Sequence, residues 1–297
     1  MRVGVAGLGR MGAAMAARLI DRRHELIVWN RSAERAAPLI AAGAKLAASP
    51  AELADEAQIV VSMLFDQSAV EGVYRGPTGL LAGGVAGKLL IDMSTVRPSE
   101  AKATEGAVRA AGASFVECPV GGTIAPARTG QLLGFAGGEA ADFARAKPVL
   151  EDLCRRVELL GPVGAGAAMK LAINLPLLVF WQAFGEANAL IHDLGCDPQF
   201  IVGLFGESAG GPNVLRARAA AVAGALADKG AGEATYTIGL IAKDLRLMVD
   251  EAATKGFDLP VVRRTLEICE QMLKNGWGER DCAWIPAFWS AHVAGKA

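Results

Sequence analysis

The chain has 297 residues, of which 52% are hydrophobic, and a formal net charge of −1. That length holds one large domain or two ordinary ones, and the apolar share argues against disorder. The near-neutral balance, without blocks of like charge, argues against nucleic acid or a membrane surface as a partner.

Short apolar strands are predicted over residues 2–6, 25–30, 44–47, 59–64, 89–93, 115–118, 132–136 and 157–160. Helical stretches are predicted between the first of them, over 10–22, 33–42 and 50–55. Ser49 caps the last of these, with Pro50 at its first position. Continuous apolar strands alternating with helices predict a doubly wound parallel sheet covered on both faces, an α/β fold. After Gly161 the pattern changes to helices alone, predicted over 167–194, 198–207, 212–227, 238–255 and 260–274. The boundary is placed at residue 163, giving a nucleotide-binding domain over 1–163 and an all-helical domain over 164–297. The apolar stretch 171–189 contains Asn174, Pro176, Gln182 and Glu186, and reads as a buried helix, not a membrane span. The first apolar run, ending at Gly7, is too short for a signal peptide. Five scattered cysteines (Cys118, Cys154, Cys196, Cys269 and Cys282) form no CxxC, and His24, His192 and His292 are far apart. No disulfide framework and no metal site are expected, and the compartment reads as cytoplasmic.

Gly7-Leu8-Gly9-Arg10-Met11-Gly12 follows the first strand and opens a helix. In that context Gly7 makes a tight turn, Gly9 admits a pyrophosphate, and Gly12 allows close helix–strand packing. The helix N-terminus favours the phosphates. At the end of the second strand stands Asn30-Arg31-Ser32, where an NAD-specific site carries a carboxylate. Arg31 can pair with a 2′-phosphate, so NADP(H) is preferred. If Arg31 is only a solvated turn residue, NAD(H) is used as well.

Lys170 stands on an apolar helix, one turn before Asn174. Two readings stay open: the ammonium meets an incoming carboxylate or carbonyl ligand, or it snorkels to solvent. Likewise Ser94-Thr95 either serves a ligand or caps a helix, and Gly121-Gly122 is either a ligand loop or a plain turn.

Over its full length the chain resembles the β-hydroxyacid dehydrogenases. The resemblance is carried in order by Gly7–Gly12, Asp92-Met93-Ser94-Thr95, Pro119–Thr123 continuing to Gly130-Gln131-Leu132, and Gly164–Asn174, with Lys243-Asp244-Leu245 further on. It implies an N-terminal Rossmann domain and a C-terminal helical domain for substrate and oligomerisation. It also implies hydride transfer between NADP(H) and a small β-hydroxy acid or the matching semialdehyde or keto acid. Lys170 would be the general acid and base, helped by Asn174. Gly121, Gly122 and Thr123 would bind the substrate carboxylate, with Ser94 and Asp244 beside the substrate. Met63, Leu64, Thr95 and Lys243 would line the cofactor. A homodimer or homotetramer is implied.

The chain departs from the family pattern in having Gly121-Gly122-Thr123 for Ser-Gly-Gly, Leu175 for a second asparagine, and Phe65 for a proline. Arg128 is added after the substrate loop, and Phe180 or Trp181 adds apolar bulk. Two other readings, an imine reductase-like enzyme and a non-catalytic NADP-binding module, fit less well because Lys170 and Asn174 are both present.

Overall fold

The computed structural model describes residues 1–293; residues 294–297 of the expected helical domain lie outside it. The first part alternates strands and helices: β1 (Arg2–Ala6), α1 (Arg10–Asp21), β2 (Glu25–Trp29), α2 (Ala37–Ala41), β3 (Lys45–Leu46), α3 (Pro50–Glu56), β4 (Ile59–Ser62) and α4 (Gln67–Arg75). It continues with β5 (Leu89–Asp92), α5 (Pro98–Ala110), β6 (Ser114–Glu117), β7 (Val120–Gly121), α6 (Ile124–Thr129), β8 (Leu132–Gly138), α7 (Ala140–Leu153) and β9 (Cys154–Leu159). Ser49 accepts the Glu52 N–H and caps α3 as its sequence predicts.

The sheet order is β3-β2-β1-β4-β5-β6-β8-β7, with β9 beside β8. β1 to β6 run parallel. β8 is the exception within this mostly parallel sheet, running antiparallel to both β6 and β7. A two-residue strand such as β7 is too short to carry an apolar pattern of its own.

Both faces of the sheet are covered, as period-two alternation requires of strands buried on both sides. Val5, Val61, Ile91 and Val116 join Met15, Leu19, Ala127 and Leu150 in one core, so α1, α6 and α7 cover that face. Val60, Leu90 and Phe115 turn the other way, onto Leu53, Val70 and Val108 of α3, α4 and α5. The strand order reverses between β1 and β4, whose carboxyl ends lie side by side with Ala6 opposite Ser62. Such a switch point is where open α/β sheets bind ligands.

Helices follow: α8 (Ala165–Leu190), α9 (Pro198–Glu207), α10 (Asn213–Ala217), α11 (Ala219–Leu226), α12 (Ile238–Thr254), α13 (Pro260–Lys274) and α14 (Ile285–Val293). The single helix predicted over 212–227 is two, broken at Arg218, and α14 has no counterpart among the predicted elements. Compact contacts divide the chain between Leu171 and Ala172, inside α8. α8 has the length and apolar composition of a membrane span, but it carries Lys170, Asn174, Gln182 and Asn188, all buried. Trp181 is fully buried against Phe180, which stacks on Phe184, so its bulk belongs to the core of the helical unit. All five cysteines are free.

Candidate active site

The loop between β1 and α1 is shaped by three glycines with three different constraints. Gly7 has φ +98°, a conformation L side chains rarely adopt, and a Cβ there would lie 2.4 Å from the Met63 carbonyl oxygen. A Cβ on Gly12 would lie 1.9 Å from the Gly7 carbonyl oxygen, so α1 can start this close to the turn only without a side chain. A Cβ on Gly9 would meet nothing within 4 Å. Gly9 therefore leaves open space in front of the α1 N-terminus, whose first turn carries no acidic residue. Exposed Arg10, half-buried Met11 and buried Leu8 complete the loop. Open space, first-turn N–H groups and the positive end of the helix dipole fit a dinucleotide pyrophosphate.

Asn30 is tied to the backbone on both sides. Its Oδ1 accepts the Leu8 N–H at 2.8 Å and its Nδ2 donates to the Ser32 carbonyl at 2.9 Å. The residue thus braces the phosphate loop from the end of β2. Arg31 is exposed and Ser32 half-buried beside it.

At the neighbouring strand ends, Met63 and Leu64 pack against Gly7 and so border the phosphate loop. Ser94 is held on two sides by the protein itself. It is 2% exposed, its hydroxyl donates to Asp92 Oδ1 at 2.6 Å, and it accepts the Leu64 N–H at 2.9 Å. Ser62 donates to the same Asp92 oxygen at 2.8 Å and meets the Tyr74 hydroxyl at 2.8 Å. Ser94 therefore braces the ends of β4 and β5. Burial pushes the Asp92 carboxyl above the usual carboxylate range, and the serine donors oppose that shift. Thr95 is half-buried next to it. Neither residue caps α5, which starts behind Arg97, whose N–H donates to Glu100 at 2.8 Å.

Gly121 pairs with Leu133 across β7 and β8, and exposed Gly122 follows with φ +122°. A Cβ on Gly122 would also strike Leu132 at 2.8 Å. Thr123 stands before α6 and makes no capping hydrogen bond. Arg128, noted in sequence as an addition to this segment, pairs with Asp21.

Sequence reasoning missed Glu117, at the end of β6. It is 2% exposed, and its Oε1 accepts the Gly164 N–H at 2.5 Å and the Gly166 N–H at 2.9 Å. Desolvation outweighs these donors and pushes the carboxyl up to about 7. A glutamate ending an apolar strand was the available signal.

Lys170 lies on α8, 8% exposed, which removes the snorkelling alternative. Asn174 follows one turn later, 6% exposed, and its Nδ2 donates to Asp244 Oδ2 at 3.2 Å. Asp244, buried on α12, also meets Lys243 Nζ at 3.1 Å through Oδ1 and accepts the Tyr236 hydroxyl at 2.5 Å through Oδ2. Asp244 is thus a hub for Asn174, Lys243 and Tyr236. Tyr236 was not anticipated, since no spacing rule links it to a residue eight positions on. Burial and the adjacent Asp244 charge raise its phenol well above the usual tyrosine range.

Comparison with known proteins bears on this arrangement. Residues 2–161 match the family model described as the NAD binding domain of 6-phosphogluconate dehydrogenase. Residues 164–287 match the one described as NAD-binding of NADP-dependent 3-hydroxyisobutyrate dehydrogenase. The chain is 33% identical over 293 residues to the probable mitochondrial 3-hydroxyisobutyrate dehydrogenase of Dictyostelium discoideum, covering 96% of this chain and 90% of that protein. It is 32% identical over 290 residues to the NAD-dependent L-serine dehydrogenase of Pseudomonas aeruginosa, covering 94% and 95%. Among solved structures, the 3-hydroxyisobutyrate dehydrogenase of Mycobacterium tuberculosis with L-serine is similar at a TM-score of 0.84 and 26% identity. That match covers 97% of this chain and 98% of the other. A glycine-shaped phosphate loop at the sheet's switch point, matches to both family models, and full-length relatives together lead to one statement: the chain belongs to the β-hydroxyacid dehydrogenase family of nicotinamide-dependent oxidoreductases.

Proposed function

We propose that this chain is an NADP(H)-dependent dehydrogenase of a small β-hydroxy acid, and equally a reductase of the matching semialdehyde or keto acid. The observation that carries the proposal is the burial of Lys170 and Asn174 one turn apart on α8. A cation removed from bulk water acts strongly on charge that develops on a nearby oxygen. As the neutral amine Lys170 takes the proton of the substrate hydroxyl in oxidation, and as the ammonium it gives that proton to the carbonyl oxygen in reduction. Asn174 holds that oxygen in place, and the 121–123 turn anchors the carboxylate. Gly7, Gly9, Gly12, Met63 and Leu64 would hold the dinucleotide, which when bound supplies or accepts the hydride. The substrate class is supported by two relatives named for 3-hydroxyisobutyrate and L-serine, since both compounds carry a carboxylate and a β-hydroxyl.

The NADP(H) preference is supported by the lack of a carboxylate at Asn30-Arg31-Ser32, where Arg31 is exposed for a 2′-phosphate. One relative is named NAD-dependent, so both cofactors belong in the test. Nicotinamide absorbance is followed with 3-hydroxyisobutyrate, L-serine, glyoxylate, tartronate semialdehyde and succinic semialdehyde. Lys170→Ala is expected to lower kcat by at least about a hundredfold with NADPH affinity nearly unchanged. Near-normal turnover by that variant removes the assignment. Arg31→Ala is expected to cut the preference for NADPH over NADH about tenfold, some 1.4 kcal/mol.

A further inference from the structure

The backbone around Tyr236 is held more firmly than an ordinary connecting segment. Asp281, 2% exposed, pairs with Arg218 Nη2 at 2.5 Å. Its Oδ2 accepts the N–H groups of Thr235 at 2.7 Å and Tyr236 at 3.3 Å. The Tyr236 carbonyl in turn accepts the Cys282 N–H at 2.9 Å, and Thr237 caps α12. A segment tied at both backbone groups delivers one phenol to Asp244 Oδ2, the oxygen that also receives Asn174 Nδ2.

A hydrogen bond from a phenol to a carboxylate is among the stronger kinds. Here it opposes the pull of Lys243 on the other oxygen. Without the phenol, the carboxylate loses one of the groups that set its plane, and the contact to Asn174 weakens. The two ends of an amide differ only in which is donor and which is acceptor. A carboxylate held against Nδ2 therefore fixes which end of Asn174 faces away.

We infer that Tyr236 is a positioning residue: its hydroxyl acts through Asp244 to hold the Asn174 amide in the one orientation that serves the substrate oxygen. The inference rests on the roles proposed for Lys170 and Asn174. Nothing in it requires Tyr236 to touch the substrate.

The test is a double-mutant cycle of Tyr236→Phe and Asn174→Ala in the full chain, with the substrate and cofactor found active in the screen. Phenylalanine keeps the ring and removes the hydroxyl, and thermal melting checks that the fold is retained. Tyr236→Phe is expected to lower kcat about tenfold and to leave the NADPH Kd within about twofold. In the Asn174→Ala background the same substitution is expected to change kcat by less than about twofold, because the group it acts through is gone. If Asn174→Ala is too slow to measure, Asn174→Ser takes its place. Wild-type kcat in Tyr236→Phe, or an undiminished tenfold loss in the Asn174 background, overturns the inference alone. Normal turnover by Lys170→Ala overturns the proposed reaction and this inference together, which keeps the two failures apart.

Discussion

Glu117 and Gly166 are joined side chain to backbone, with Glu117 Oε1 accepting the Gly166 N–H at 2.9 Å. The same oxygen accepts the Gly164 N–H, so one strand-end carboxyl closes the first turn of the helix that carries Lys170.

The burial of this carboxyl has a pH signature. The folded-state pKa of Glu117 is raised from 4.5 to about 7. Between those values the folded chain keeps a proton that the unfolded chain has released, so stability falls as pH rises through that window and levels off above it. The contribution is about 3 kcal/mol, taking roughly 1.4 kcal/mol per unit. Glu117→Gln keeps an acceptor for the two glycine N–H groups and cannot ionise. Urea unfolding across pH 4 to 8 is expected to show this decline in the wild type and to lack that share of it in Glu117→Gln. Parallel curves for the two proteins would show that Glu117 is not the titrating group.

Ser94→Ala tests the brace between β4 and β5. The substitution removes a donor from buried Asp92 and the acceptor of the Leu64 N–H. Leaving such groups unsatisfied costs about 1–3 kcal/mol. The expected result is a lower Tm with KM for substrate within about twofold, since a loss of stability is not a loss of a binding contact. A large rise in KM at unchanged Tm would instead show that Ser94 meets the substrate.

Gly12→Ala tests the loop. The new methyl group would fall 1.9 Å from the Gly7 carbonyl oxygen, so α1 and the turn must separate. The sheet does not depend on that approach, but the helix N-terminus offered to the phosphates does. NADPH affinity is expected to fall at least about tenfold, or 1.4 kcal/mol, with circular dichroism unchanged. Fluorescence titration of NADPH measures it, and an unaltered Kd would sink the assignment.

Much of this was legible from the residues, and the remainder fails for definable reasons. Apolar runs such as Ile59–Ser62 and Leu89–Asp92 are buried on both faces, so composition alone reveals them. The glycines of the phosphate loop are legible because steric exclusion at Gly7 and Gly12 admits no other residue. Strand direction is not written in an apolar run, so β8 is antiparallel without a sequence mark. Arg218 ends α10 through bonds to Thr235 and Asp281, distant partners that a local helix pattern cannot show. The bond from Ser94 to Asp92 was hidden as well, because a serine in a motif carries no sign of where its hydroxyl turns. Glu117 was missed because its partners lie far along the chain, and Tyr236 because no local pattern ties it to Asp244.

The bracing of Leu8 by Asn30 bears on how coenzyme choice can change in such a protein. The obvious route to NAD, an acid at the end of β2, passes through Asn30. An aspartate there still accepts the Leu8 N–H, but it turns a second acceptor oxygen toward the Ser32 carbonyl where a donor now stands. Retuning the cofactor at that position loosens the turn that cradles the phosphates, so selection for a different coenzyme has an easier path through the exposed Arg31 and its neighbour.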